Sequence, residues 1–406
     1  MLEYDLVIIG GGPAGLTAGI YGARARLKTA ILEKAVVGGQ AFTTREIVNF
    51  PGFLGDTTGP ELVTAFANYA KQFGSEIIKD EVIDLELDGE TKLINLKKGG
   101  QLSARAVIMA VGSQPRLLNI PGERKLRGMG VSYCATCDAE FYEDLQVIVV
   151  GNGDAAIEEA IYITKYASKV TVLVIHDEGI VDCNKASAEQ AFRNDKIEFI
   201  WNTVLVEIKG KDEVESVAIK NLKTDEITDL EASGVFIYVG MVPGTELLKN
   251  KVALDERGYI ITNELMETSV SGVYAAGDTR VKYLRQVVTA ANDGAIAAVS
   301  AERYLVEEDD FRDNVLMADK PVLLVFWSPE QEDCIALVSS LERIISETGH
   351  QFKLVKVDIS RKKGIAQRYS VIKAPTILLL KEGKLSKDLS SDLEKDLKAQ
   401  LLEGFD

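Results

Sequence analysis

The chain has 406 residues, 46% of them apolar and 27% charged, with a formal net charge of −16. That is length enough for two or three domains with a core each. The acidity weighs against nucleic acid or an anionic membrane surface, both of which need a basic footprint. No apolar run approaches the roughly 18 residues of a membrane span, and the amino end, Met1 to Asp5, lacks a basic region and a cleavage site, so no signal peptide is expected and the cytoplasm is the expected location.

Leu6 to Ile9 reads as a buried strand, followed at once by Gly10-Gly11-Gly12-Pro13-Ala14-Gly15, a helical stretch from Leu16 to Arg26, and a second strand, Thr29 to Leu32, ending at Glu33. In Gly10-x-Gly12-x-x-Gly15 the first glycine permits the tight turn, the second lets backbone N–H groups approach a pyrophosphate, and the third lets helix pack on strand. The phosphates then lie at the helix amino end, and Glu33 is placed for a ribose hydroxyl. The pattern recurs: Val147 to Val150, then Gly151-Asn152-Gly153-Asp154-Ala155-Ala156, a helix over Ala155 to Tyr166, and a strand from Val170 to Ile175. Two strand–turn–helix–strand units predict two parallel sheets and two nucleotide sites.

Between the units lies Cys134-Ala135-Thr136-Cys137-Asp138. Four cysteines in so long a chain do not make a disulfide scaffold, and a close pair in a reducing compartment points to redox or metal chemistry. The two histidines, His176 and His350, have no ligand spacing to the cysteines, so no metal site is expected. Cys183 has no partner at a useful spacing and is expected to be a free thiol. Pro115 and Pro121 before the pair, and Gly240, Pro243 and Gly244 about 125 residues later, read as a double linker around an inserted domain. The expected boundaries are 1–114 and 245–310 for a discontinuous first domain, 115–244 for the inserted one and 313–406 for a third. Val306 to Asp310, acidic and without apolar periodicity, is expected to be a linker before that third part.

Taken together, Gly10 to Gly15, Gly38-Gly39-Gln40, Asn49-Phe50-Pro51-Gly52, Cys134 to Asp138, Gly151-Asn152-Gly153, Gly277-Asp278 and Arg285 to Ala291 resemble, in order, the low-molecular-weight thioredoxin reductases over residues 1 to 308. The resemblance implies an α/β fold of two Rossmann-like three-layer domains, the second inserted in the first, and a homodimer. It implies FAD held by Gly10, Gly12, Pro13, Ala14, Gly15, Glu33, Gly39, Gln40, Asn49, Gly277, Asp278, Arg285, Gln286 and Val287. A nicotinamide nucleotide would lie on Gly151, Gly153, Asp154, Ala155 and Ala156. Cys137 would face the flavin, Cys134 would exchange with thioredoxin or a thioredoxin-like protein, and Asp138 would move the proton. A thiolate is the attacking species, so free N–H groups at a helix start beside the pair would favour it. Ala139 departs from the glycine the family has after the aspartate.

NADPH-specific members carry an arginine cluster after the second strand, where this chain has His176-Asp177-Glu178-Gly179-Ile180-Val181-Asp182. Arginine forks match a phosphate and carboxylates repel it, so NADH is favoured over NADPH, with Asp177 expected at the ribose. Reduced ferredoxin is the alternative donor, and a redox sensor or scaffold without turnover is an alternative of another class.

Residues 313 to 406 resemble a thioredoxin fold. Pro321 to Ser328 aligns with the strand entering a thioredoxin active site, which puts Gln331 at the nucleophile, Cys334 at the resolving thiol and Val325 at the buried acid; Ala374-Pro375-Thr376 matches the family's proline segment. Without a sulfur at residue 331 no dithiol cycle is possible in this part. Cys334 is expected to be buried, and the layout is expected to differ from a fused reductase–thioredoxin.

Overall fold

A computed structural model describes residues 2–44, 47, 49–52, 57–347 and 351–390, so His350 lies outside the described residues. The chain forms two compact units, Met1–Ala301 and Glu302–Asp406.

In the first unit, Leu6 to Ile9 are apolar at every position and buried, as a parallel strand covered on both faces must be. They lie in β1 (Leu2–Ile9), joined through α1 (Pro13–Arg24) to β2 (Thr29–Glu33), its parallel neighbour. Pro13 opens α1, where its missing N–H costs nothing. α2 (Gly59–Gln72) starts with a reciprocal cap between Thr58 and Glu61 and leads to β3 (Glu76–Lys79) beside β2. β4 (Val82–Glu86), β5 (Lys92–Leu96) and β6 (Gln101–Met109) form an antiparallel meander that returns β6 to the other side of β1. The sheet order is β3-β2-β1-β6-β5-β4.

The chain leaves through β7 (Ser113–Pro115) and builds a second sheet. Its members are β8 (Val131–Ser132), β9 (Gln146–Val150), β10 (Lys169–Leu173) and β11 (Ile197–Ile200), with α3 (Ala135–Asp138), α4 (Asp154–Ile163) and α5 (Lys185–Phe192) between them. β12 (Thr203–Lys209), β13 (Ser216–Asn221) and β14 (Ile227–Glu231) form a separate antiparallel sheet, and β15 (Gly234–Ile237) completes the order β11-β10-β9-β15-β8, all parallel. β16 (Met241–Pro243) then pairs antiparallel with β7, Val242 opposite Gln114. β17 (Val273–Ala275) rejoins the first sheet along β6. The two crossing segments are thus one short ribbon, with a complete parallel sheet built between them.

α6 (Val287–Phe311) runs on through Val306 to Asp310, so the expected linker there is helix. Ala301, Leu305 and Phe311 are buried while Glu307 and Asp310 face water, and Glu308 pairs with Arg368 at 2.6 Å. The apolar stripe is carried by few positions, which is why the acidic run masked it.

The second unit holds a sheet of β18 (Val322–Trp327), β19 (Lys353–Asp358), β20 (Thr376–Lys381) and β21 (Lys384–Asp388) in the order β19-β18-β20-β21, with α7 (Glu332–Glu347) and α8 (Lys363–Arg368). β18 is parallel to β19 and antiparallel to β20. Its core on one side is Leu323, Val325, Val338, Leu341, Ile345 and Ile377.

Candidate functional site

The carboxyl ends of β1, β9, β15 and β17 are where loops must leave a parallel sheet, and ligands of such sheets gather there. A cavity of about 2270 Å³ opens at those ends in the first unit, lined among others by Gly12, Glu33, Gln40, Cys137, Asp278 and Gln286.

The first glycine turn is built by close approach. Gly10 has φ 111°, and a Cβ there would lie 2.2 Å from the Ala110 carbonyl oxygen. Gly12 and Gly39 face each other, a Cβ on Gly39 falling 3.2 Å from Gly12 Cα. Gly15 packs against the Gly10 carbonyl, and Pro13 and Ala14 form the first turn of α1. Glu33 fixes the turn: its Oε2 accepts the Gly11 N–H and its Oε1 the Ala35 N–H, each at 2.8 Å. Gln40 donates to the Ser113 carbonyl.

The residues expected at the far end of the flavin also converge. Gly277 donates its N–H to Asp293 Oδ2 at 3.1 Å, and Asp293, 3% exposed, takes Lys282 Nζ at 2.7 Å. That buried grip sets the loop bearing Asp278, whose Oδ1 is buried with no hydrogen-bond partner among the described residues. Burial pushes the Asp278 carboxyl up, against the opposing fields of Lys282 and Arg285. Arg285 lies over the Tyr259 ring at 4.4 Å, with its Nε also buried and unpartnered. An orphaned carboxylate oxygen and an orphaned N–H are costly unless a ligand meets them. With the glycine turn at the other end, these residues fit FAD.

The cysteine pair sits against this arrangement. Cys134 and Cys137 form a disulfide with Cα atoms 5.4 Å apart, Cys134 being the residue that precedes the one-turn helix α3. Gln286 Nε2 donates to Thr136 Oγ1 at 3.0 Å and lies 3.7 Å from Cys134 Sγ, while its Oε1 is 4.0 Å from Cys137 Sγ. Asn49 Nδ2 donates to Gln286 Oε1 at 3.2 Å. Val287 follows as the first residue of α6. Asp138 accepts from Ser132 Oγ at 2.5 Å, and the same oxygen accepts the Cys134 N–H at 3.1 Å. Burial raises the Asp138 carboxyl above the ordinary range, and the Ser132 bond offsets this only in part. The arm is anchored one residue earlier, where the Tyr133 hydroxyl donates to Glu123 at 2.9 Å; Glu123 is wholly buried and also accepts the Leu118 and Asn119 N–H groups.

In the second turn Gly151 has φ 132°, and a Cβ would lie 2.4 Å from the Tyr238 carbonyl oxygen. Gly153 leads into α4, Ala155 lines the cavity and Ala156 is buried. Asp154 accepts from Asn184 N at 2.8 Å and Nδ2 at 3.1 Å. Asp177, expected at the ribose, pairs with Lys223. Asp182 also lies at the turn, its N–H donating to the Asn152 carbonyl at 2.8 Å. Glu159 Oε2 and the Tyr238 hydroxyl are buried, unpartnered and on the cavity wall. Burial, then the Glu158 charge, raises the Glu159 carboxyl. Cys183 is a free thiol, raised by burial and by the nearby Asp154 charge.

Sequence reasoning missed Ser132, Glu123, Tyr238 and Asp293. Tyr238, just past a buried parallel strand, and Asp293, an acid within an alanine-rich helix, carried a signal; Ser132 and Glu123 carried none. Among the described residues no cluster of potential metal ligands and no membrane-crossing helix occurs.

In the second unit Gln331 is exposed at the head of α7. Cys334 is fully buried and donates to Gln331 Oε1 at 3.4 Å. Val325 lies in the core, and the Ala374–Pro375 peptide is cis.

Residues 4–294 match the family described as pyridine nucleotide-disulphide oxidoreductase, and residues 302–403 match thioredoxin. The chain is 50% identical over 308 residues to the thioredoxin reductase of Peptoclostridium acidaminophilum, covering 74% of this chain and 97% of that one. It is 35% identical over 423 residues to a bifunctional thioredoxin reductase/thioredoxin of Mycobacterium leprae, covering 94% and 92%. Thioredoxin reductase from Streptococcus pyogenes superposes with a TM-score of 0.71 at 44% identity, over 75% of this chain and 99% of that one. The two-part layout, expected to differ from a fused reductase–thioredoxin, is therefore shared with one.

Proposed function

Because this chain belongs to the pyridine nucleotide-disulphide oxidoreductase family and, within it, to the thioredoxin reductases, FAD-dependent disulfide oxidoreductases, we propose that it carries an electron pair from NADH, through FAD and the Cys134–Cys137 disulfide, to a separate thioredoxin-like protein, working as a homodimer. The observation that supports this most is the seat of the disulfide: beside Gln286 and Asn49, on the cavity toward which Asp278 turns an unpartnered oxygen. FAD, when bound, supplies an acceptor for hydride and a two-electron donor for the disulfide.

The chain's own residues do the rest. The first glycine turn and the amino end of α1 hold the pyrophosphate, and Asp278 holds the polar chain of the cofactor. Reduction of the disulfide takes two electrons and two protons. Asp138, whose carboxyl is raised by burial, supplies a proton to the cysteine pair and recovers it on reoxidation. Cys134 as thiolate then attacks the partner's disulfide; one sulfur of the partner leaves as thiolate and a mixed disulfide forms. Cys137 returns its proton to Asp138 as its sulfur attacks Cys134, the intramolecular disulfide re-forms, and the partner departs with its two thiolates taking protons from solvent to give a dithiol. The partner is a separate molecule because Gln331 offers no sulfur to Cys134.

NADH is the donor because the segment after β10 presents His176, Asp177, Glu178 and Asp182 and no arginine. The test is anaerobic stopped-flow bleaching of the flavin by NADH, NADPH and reduced ferredoxin. NADH is expected to be fastest; faster reduction by either of the others refutes the donor assignment and leaves the disulfide chemistry to be tested by thioredoxin turnover.

A further inference from the structure

The two sulfurs of the disulfide are alike, and the polar groups around them are not. A disulfide sulfur carries no hydrogen, so Thr136 Oγ1, 3.4 Å from Cys134 Sγ, is the donor in that contact. Gln286 Nε2 donates to the same hydroxyl at 3.0 Å and itself lies 3.7 Å from Cys134 Sγ. The other end of the amide, Oε1, can only accept, and it lies 4.0 Å from Cys137 Sγ. Cys134 thus faces two donors and Cys137 one acceptor. The network fixes that polarity. Asn49 Nδ2 lies 3.5 Å from the Thr136 carbonyl oxygen, which can only accept, so the NH₂ end of Asn49 is the one that stands there. The same nitrogen donates to Gln286 at 3.2 Å, which turns the oxygen of Gln286 toward Asn49 and its NH₂ toward Thr136 and Cys134. The Gln286 backbone is held as well, its N–H donating to Thr289 Oγ1 at 3.2 Å at the start of α6. One backbone carbonyl therefore sets the direction of two amides.

We propose that the Gln286 side chain tells the two sulfurs apart once the disulfide is reduced: its N–H end, with Thr136, stabilises Cys134 as the thiolate, and its C=O end accepts from Cys137 as the thiol. When the pair receives the two electrons that FAD supplies, the S–S bond breaks. Cys137 takes the proton of Asp138, and Cys134 keeps its electron pair as the anion. Hydrogen bonds to an ionised acceptor are the stronger ones, so the two donors count for most at the charged sulfur. The inference rests on the reading above that Cys134 is the attacking sulfur, and deepens it by naming what makes it so. Gln286 touches both reacting atoms and is a catalytic residue; Asn49 acts through Gln286 and is a positioning residue.

The experiment takes the FAD-loaded full chain, reduced anaerobically by a phosphine and freed of it, and gives it a limiting pulse of iodoacetamide. Peptide mass spectrometry then reads the label on Cys134 relative to Cys137 in the wild type, Gln286→Leu and Asn49→Asp. The wild type is expected to label chiefly at Cys134 at neutral pH. Gln286→Leu is expected to cut the ratio about tenfold, the worth of one hydrogen bond to a charged acceptor. At about pH 10, where thiols ionise unaided, the same variant is expected to change it less than about twofold, because the amide no longer decides which sulfur is charged. Asn49→Asp is expected to cut the neutral-pH ratio as well, since a carboxylate accepts from Gln286 and turns its oxygen toward Cys134. The titratable and charged groups on the same cavity wall, among them Tyr133, Asp138, Tyr142, Glu159, Tyr238 and Arg285, are common to all three chains and so cancel in the comparison. An unchanged neutral-pH ratio in either variant, or an equal cut at both pH values, which marks a change of access, overturns the inference, while the wild-type preference for Cys134 keeps that sulfur as the nucleophile. A wild type labelled chiefly at Cys137 removes that reading and the inference with it.

Discussion

The Cys134–Cys137 arm and the Gln331–Cys334 arm share a spacing and a place at the head of a helix, and their chemistry is opposite. In the first, two sulfurs are joined, Ser132 bridges the backbone of Cys134 to Asp138, and that acid is raised by burial. In the second, Gln331 is exposed, Cys334 is sealed beneath it with its thiol donating to the glutamine oxygen, and Val325 fills the core. A buried thiol in apolar surroundings is inert. The difference teaches that two residues three apart at a helix start do not make a redox centre; a second sulfur and a buried proton carrier do.

The sharpest way to break the comparison is Cys134→Ser. Flavin reduction by the donor is expected to persist, while thioredoxin reduction falls by at least about 10³-fold, as loss of a nucleophile does. Parallel flavin-bleaching and turnover assays check it, and unchanged turnover would make the first arm as idle as the second.

Asp138→Asn comes next. Turnover is expected to drop about 10²-fold, the worth of a general acid, and to lose one limb of its pH profile. In the wild type that limb falls as pH rises through the raised Asp138 value, because the protonated form is the donor. The stability effect has the opposite sign. A carboxyl raised in the folded state costs nothing below the ordinary aspartate value and destabilises as pH rises from there through the folded value. Asp138→Asn should therefore unfold at higher urea than the wild type at neutral pH, with the advantage vanishing in acid.

The smallest effect on turnover is expected from Gln331→Cys, which supplies the second arm with its missing sulfur. Oxidised wild type should show Cys183 and Cys334 as free thiols on titration in denaturant; the variant should leave only Cys183 free, with basal turnover unchanged. If the new thiol and Cys334 both stay free, spacing alone does not let the second arm close.

The glycine turns, the strands feeding them and the cysteine pair were legible because each is a short-range pattern. Gly10 and Gly151 need positive φ, Pro13 suits only a helix start, and runs such as Leu6–Ile9 suit only a strand covered on both faces. Val306 to Asp310 was misleading for a related reason: local charge hid a helix whose buried stripe is spaced wide. The pairing of Asp177 with Lys223 was not legible either, because Lys223 arrives on a hairpin 46 residues beyond Asp177.

By itself, the amino-acid order determined which chemistries this protein can perform. It contains a pair of sulfurs with an acid beside them, two phosphate-sized glycine turns, no arginine fork after the second, and no sulfur at residue 331. Those are matters of composition and nearest neighbours. Only the tertiary structure decided which of these groups meet: Gln286 against the disulfide 150 residues from Thr136, Asp293 gripping Gly277, and Asp182 bridged to Gly153 of the second turn. Such contacts join residues far apart in the chain, so they follow from the packing of whole elements and are not encoded in any local spacing.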